Sequence, residues 1–258
     1  RRGWLTGTRP PGRRDPGQFP AAVRAALLAD LDAWRLLRSG GRPVATSYAV
    51  TPVVPAVRSR EPGEREAAAA LAAERDAMAF GSWVGALRDG VLHLPGRAPE
   101  EIPDLAGAFD LVGISYDHAW SVFADGSVGP YPADAHPGPL GWAPWPEGLG
   151  NVLRRLHDEL PGRDLVLNGF GLATAADDAR EDLRRVEVVE ETVAEIHRAR
   201  ADGVPLRGVL HRSAVDGYEW EAGFGVRRGI VDRDRRPKPS ATALARAAGV
   251  APSSEPAP

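Results

Sequence analysis

Apolar residues recur along this chain with a helical period in some stretches and as short unbroken runs in others, and the two kinds alternate. Val23, Leu27, Leu31 and Trp34 share one helical face, and Gly40-Gly41 stop that helix. Residues 43–48 predict a short strand running into the turn-rich 51–56 segment. The Ala-rich span 64–87 predicts a helix on propensity. Residues 109–116 read as a buried strand. Leu149, Val152, Leu153, Leu156 and Leu160 form a further helical face, closed by Pro161-Gly162. Residues 164–167 are the next strand. Asp177 or Asp178 is the expected cap of a helix with Leu183, Val186, Val189, Val193 and Ile196 on one face. Asp202-Gly203 end it, residues 206–210 form the last strand, and residues 240–248 a short helix. The expected domain covers 1–248, and 249–258 reads as a disordered tail.

Strands separated by helices of this length imply parallel pairing, right-handed crossovers and an α/β domain. Four strands, each followed by a helix, make half of a (β/α)8 barrel. The long span 119–146, rich in Pro, Gly and aromatics, is expected to be a functional loop, with Trp120, Tyr131, Trp142 and Trp145 arguing against disorder.

Composition narrows the function. The chain has 258 residues, 43% hydrophobic and 26% charged, and a net charge of −3. That balance fits a globular protein and gives no reason to expect nucleic acid. The Arg13-Arg14 pair and the 233–236 cluster are short and flanked by acids. No apolar run approaches the roughly 20 residues that cross a bilayer, and no secretory signal pattern is present, so a cytoplasmic location is expected. With no cysteine, disulfides and thiolate metal sites are excluded. Arg1 is not an initiator Met, which leaves room for an upstream segment.

The candidate chemistry lies in two stretches. Residues 166–174, VLNGFGLAT, resemble the seventh strand of the family 1 glycoside hydrolases, the β-glucosidase family, which ends in Thr-Glu-Asn-Gly. Residues 208–229, GVLHRSAVDGYEWEAGFGVRRG, are similar to that family's eighth strand and loop, with Ser213, Asp216, Glu219, Trp220, Gly223, Arg227 and Gly229 at matching spacing. The stretch 3–15, the helix over 23–37, residues 51–56 and LGWAPWPEGL at 140–149 match other landmarks. The resemblance implies a TIM-type barrel represented by only its fifth to eighth βα units.

It also implies which positions depart from the family. Gly169 stands where the nucleophilic Glu is expected, and the acid/base motif Asn-Glu-Pro would lie upstream of Arg1. Arg212 replaces the sugar-stacking Trp of the eighth strand, Asp117 a Tyr beside Tyr116, and Arg228 a Phe. A retaining glycosidase needs two carboxylates, one of which attacks the anomeric carbon. The residues expected to contact a β-glycoside or oligosaccharide are Glu219, Trp220, Tyr116, Asp117, His211 and Arg212; no catalytic residue, metal or cofactor is expected. The bland alternatives are a structural His211, a structural Asp216, and Trp142 and Trp145 as loop anchors. The segment 180–191 reads as a solvated face of ion pairs.

Three functions follow from these expectations. One is a degenerate homologue that binds glycosides without turnover. Another is an active hydrolase or transglycosidase with relocated groups, Asp117, His211 or Glu219. The third is a half-barrel completed by a partner chain or by oligomerisation, since parallel half-barrels leave unpaired edges.

Overall fold

The computed structural model describes residues 3–4, 7, 10–58, 61, 63–175, 179–220 and 222–249. In chain order the elements are α1 (Phe19–Leu37), β1 (Tyr48–Val50), β2 (Val53–Pro55), α2 (Glu64–Asp76), α3 (Ser82–Asp89), β3 (Val91–Leu92) and β4 (Glu100–Glu101). There follow β5 (Val112–Tyr116), β6 (Ala119–Val122), β7 (Val128–Tyr131), α4 (Pro146–Glu159), β8 (Leu165–Phe170), α5 (Ala179–Ala201), β9 (Leu206–His211) and α6 (Pro239–Ala247).

The scaffold is a four-stranded parallel sheet in the order β1-β5-β8-β9. Sequential strands are neighbours and helices return the chain between them, which is a contiguous arc of a (β/α) barrel. The core lies between the sheet and its helices. Val112, Ile114, Leu165 and Leu167 are fully buried there against Leu31, Leu149, Leu153 and Leu156. Each such side chain contributes roughly 1.5–3 kcal/mol relative to exposure. The opposite face carries small or polar residues, including Ala49, Gly113, Ser115 and Asn168, at the alternate positions. Thr46 is stitched to it, its hydroxyl donating to Gly113 O and accepting from Gly113 N at 2.8 Å each.

Several local departures from the expected boundaries have physical causes. The first strand begins at Tyr48, later than the segment 43–48 suggests, and only Ala45 makes an isolated bridge, to Leu111. The second strand starts at Val112 because Phe109 adopts a left-handed backbone (φ 62°), its carbonyl held by Arg163 Nη2 at 2.6 Å. The helix over 64–87 is present, but α2 passes into α3 through a π turn at Ala77–Gly81. That widening frees the Ala79 carbonyl, which accepts from the Tyr48 hydroxyl at 2.9 Å. The span 119–146 is not a plain loop. It contains β6 and β7, a hairpin that joins β2 in a second, three-stranded sheet.

The buried face of α5 also differs from the apolar stripe. Asp182, Arg185, Val189, Thr192, Glu195, Ile196 and Ala199 are the buried set, whereas Leu183 is 55% exposed. Arg185 is therefore no solvated residue: it bonds Asp182, Thr174 Oγ1 (2.5 Å) and Leu172 O (3.3 Å). Asp182 in turn accepts from Ser240 N and Ser240 Oγ, both at 2.9 Å, and so caps α6 from another helix. The expected cap at Asp177 or Asp178 and all of the expected tail over 249–258 except Gly249 lie outside the described residues. Among the described residues the two sheet edges, β1 and β9, have no further strand beside them, and β9 leaves Val209 and Leu210 40% and 57% exposed.

Candidate functional site

A cleft of about 860 Å³ opens at the C-terminal ends of the strands, between them and the β6–β7 hairpin. Its floor follows from register. Ala49, Ser115 and Gly169 stand side by side across β1, β5 and β8. Ala49 and Ser115 line the cleft, whereas Gly169 is buried at the end of the row. At Gly169 an added Cβ would meet Ser115 Cβ at 3.3 Å and the Arg212 Cβ and Cδ at 3.7 Å. The Arg212 stem thus lies over the Gly169 position. The chain leaves β9 there through a cis Arg212–Ser213 peptide.

One wall is aromatic. His118 is buried, stacked on Trp142 (4.4 Å, 10°) and edge-on to Trp120 (4.7 Å). Trp145 meets Tyr131 edge to face at 4.5 Å. Trp142 and Trp145 both anchor the segment before α4 and line the cleft. The opposite wall is charged. Arg155 grips Asp76 with two bonds of 2.8 Å, reaches Glu159 at 2.7 Å and lies over the Phe80 ring at 4.0 Å.

Arg228 sits behind the cleft, 1% exposed, with its Nη2 bonded to Asp117 and its Nη1 3.9 Å from Glu219. Its guanidinium also lies 5.5 Å from the Trp142 ring. Its Nε and Nη1 make no hydrogen bond among the described residues. Burial pushes the Arg228 pKa down, Asp117 opposes this, and the nearby Arg212 charge adds to the lowering. The two Arg residues are close enough to feel each other.

The six residues expected to contact a ligand are not all brought together. Asp117 and Arg212 line the cleft. Glu219 faces Arg228 from the loop after β9, where its backbone bridges to Gly223. Trp220 is 80% exposed and lies in an aromatic group with Tyr218. Tyr116 is buried toward α4, its hydroxyl donating to Trp145 O at 2.8 Å, and burial raises its pKa. His211 packs edge-on to Phe170, and burial lowers its pKa to about 4. Asp216 is structural, accepting from Arg228 N, Gly229 N and Lys238 Nζ at 3.0, 2.8 and 2.6 Å. Among the described residues no three His, Asp or Glu side chains group as metal ligands would. None of the described helices is long and apolar enough to cross a membrane.

Reading the sequence missed Asp76, Arg155, Arg75 and the His118–Trp142 stack. Asp76 and Arg155 are 79 residues apart and carry no motif, so no local signal joins them. One pairing did have a signal. Asp117 and Arg228 both depart from the residue types that the resemblance implies, and the two departures meet.

Comparison with known proteins agrees with this geometry. Residues 130–248 match the model of glycosyl hydrolase family 1. A β-galactosidase of Sulfolobus acidocaldarius is 38% identical over 95 residues, 37% of this chain and 18% of that one. The thermostable β-glucosidase B of Thermobispora bispora is 29% identical over 86% of this chain and 49% of its own length. Among solved structures, a β-glucosidase from Thermotoga maritima in complex with glucoimidazole superposes with a TM-score of 0.80 at 21% identity. That match covers 96% of this chain and 60% of that one. A β-glycosidase from Pyrococcus horikoshii gives 0.78 at 27% identity, covering 93% and 56%. The chain thus spans half or less of the curated relatives and about 60% of the solved ones.

Proposed function

This chain is a relative of the family 1 glycosyl hydrolases, matching the C-terminal portion of their barrel, and on that premise we propose that it is a cytoplasmic protein that binds β-glycosides without hydrolysing them. The observation that carries this reading is at the end of β8: Gly169 has no side chain, and the stem of Arg212 lies over it. A retaining mechanism needs one carboxylate to attack and another to donate a proton. The carboxylates nearest the cleft are committed elsewhere. Asp76 is gripped by Arg155 and Asp117 is paired with Arg228; beyond the cleft, Asp216 is held by Lys238 and two amides, and Glu219 faces Arg228. Losing the nucleophile removes the covalent intermediate. What remains suits binding: the aromatic faces of Trp142 and Trp145 for a sugar ring, and Arg212 as a hydrogen-bonding group open to the cleft.

The test is a panel of chromogenic aryl β-glycosides, with and without azide or formate, alongside titration calorimetry. Binding with no turnover in either condition is expected. Turnover only with the anion would mean a working site that lacks its carboxylate, and turnover without it would sink the proposal. A second reading, a barrel completed by a partner chain or second copy, is supported by the unpaired edges and by exposed Val209 and Leu210. Its check is the mass in solution.

A further inference from the structure

The charges lining the cleft do not cancel. They are Arg75, Asp76, Asp117, Arg155 and Arg212. Asp76 is neutralised by the two-bond grip of Arg155, and Asp117 by Arg228 behind the wall. Arg75 and Arg212 remain without a carboxylate among the described residues. Arg75 donates from Nη2 to the Gly126 carbonyl at 2.6 Å, while its Nη1 is buried with no hydrogen-bond partner. Arg212 is exposed to the cleft, over the row of small residues. Fully buried Arg228 lies behind the wall, with Asp117 on its Nη2 and Glu219 3.9 Å from its Nη1. A buried guanidinium donor left unused is costly unless an acceptor arrives.

We propose that the cleft takes a glycoside carrying a carboxylate on its sugar, a uronide, with the carboxylate bound by Arg212 beside Arg228 and the ring against the tryptophan wall. A planar guanidinium matches a carboxylate with two parallel N–H···O bonds, the geometry Arg155 and Asp76 already show in the same cleft. The small side chains of Ala49 and Ser115 line the same cleft as Arg212. Arg75, on the far wall, adds to the positive field without touching the same group. This inference rests on the glycoside-binding reading and names its ligand class.

The experiment is titration calorimetry of the chain with p-nitrophenyl β-glucuronide, p-nitrophenyl β-glucoside and acetate, repeated with Arg212→Gln and Arg75→Gln. The glucuronide is expected to bind about tenfold or more tightly than the glucoside, with the preference shrinking as salt is raised. Arg212→Gln brings the two near parity, and Arg75→Gln weakens the glucuronide by a smaller factor. Equal affinity in the unaltered chain overturns the inference and leaves glycoside binding intact. Preference that survives Arg212→Gln overturns the assignment of the carboxylate to Arg212. Acetate binding as tightly as the glucuronide makes this an anion site and overturns the uronide. Failure of both glycosides to bind removes the proposed function and this inference together.

Discussion

Asp117, just past the end of β5, and Arg228, in the loop beyond β9, form an ion pair across 111 residues of sequence. Arg228 is 1% exposed and the Asp117 side chain 18%. The pair ties the second strand of the parallel sheet to the segment that follows the fourth, and it sets the charge of the cleft wall.

Breaking one side of that pair leaves the other charge poorly solvated. Arg228→Met is expected to destabilise the fold by about 3 kcal/mol. The double variant Asp117→Asn with Arg228→Met should recover much of that loss, because no charge is stranded. Urea unfolding of the single and double variants measures both; equal losses would mean that the pair is not coupled.

His211 makes stability depend on pH. Burial, with the Arg185 and Arg228 charges, lowers its folded pKa to about 4 from 6.5, against a backbone hydrogen bond that raises it. Between those values the unfolded chain binds the extra proton, so stability is full above pH 6.5 and falls as pH drops toward 4. The loss is on the order of 3 kcal/mol. His211→Asn should flatten the dependence in that window, followed by thermal unfolding at several pH values.

Asp182 serves two partners at once, Arg185 and the start of α6. Asp182→Ala strands Arg185, which is 1% exposed, and uncaps α6, for an expected cost of about 3 kcal/mol or more. Asp182→Asn keeps the acceptor for Ser240 and should cost less. Hydrogen exchange of the α6 amides separates the two contributions, since only the loss of the cap opens them locally.

Two strand glycines should respond differently to a methyl group. A Cβ on Gly113 would lie 2.0 Å from the Thr46 carbonyl oxygen, a backbone atom that cannot turn aside. Gly113→Ala is expected to cost about 3 kcal/mol. At Gly169 the nearest atom is 3.3 Å away on a serine side chain, so Gly169→Ala should cost less than about 1 kcal/mol. Similar chemical denaturation midpoints for both would contradict the packing described.

Much of the scaffold was legible in the sequence because it rests on local rules. The helical faces of α1 and α4 and the stop at Gly40-Gly41 follow from periodicity and from a glycine in the left-handed region at Gly41 (φ 68°). The runs that become β5, β8 and β9 announce themselves as short and apolar, and their alternation with helices fixes parallel pairing. The sequence alone also located Gly169 and Arg212 as departures from a pattern. Tertiary structure decided which charges meet. It turned Asp182 and Arg185 inward where their surroundings read as a solvated face, because buried partners on the β8 loop and α6 satisfy them. It paired Asp117 with Arg228 and Asp76 with Arg155, residues that no spacing connects. The difference is physical: hydrophobic periodicity is a property of neighbours along the chain, whereas a charge becomes buried only when a distant residue arrives to neutralise it.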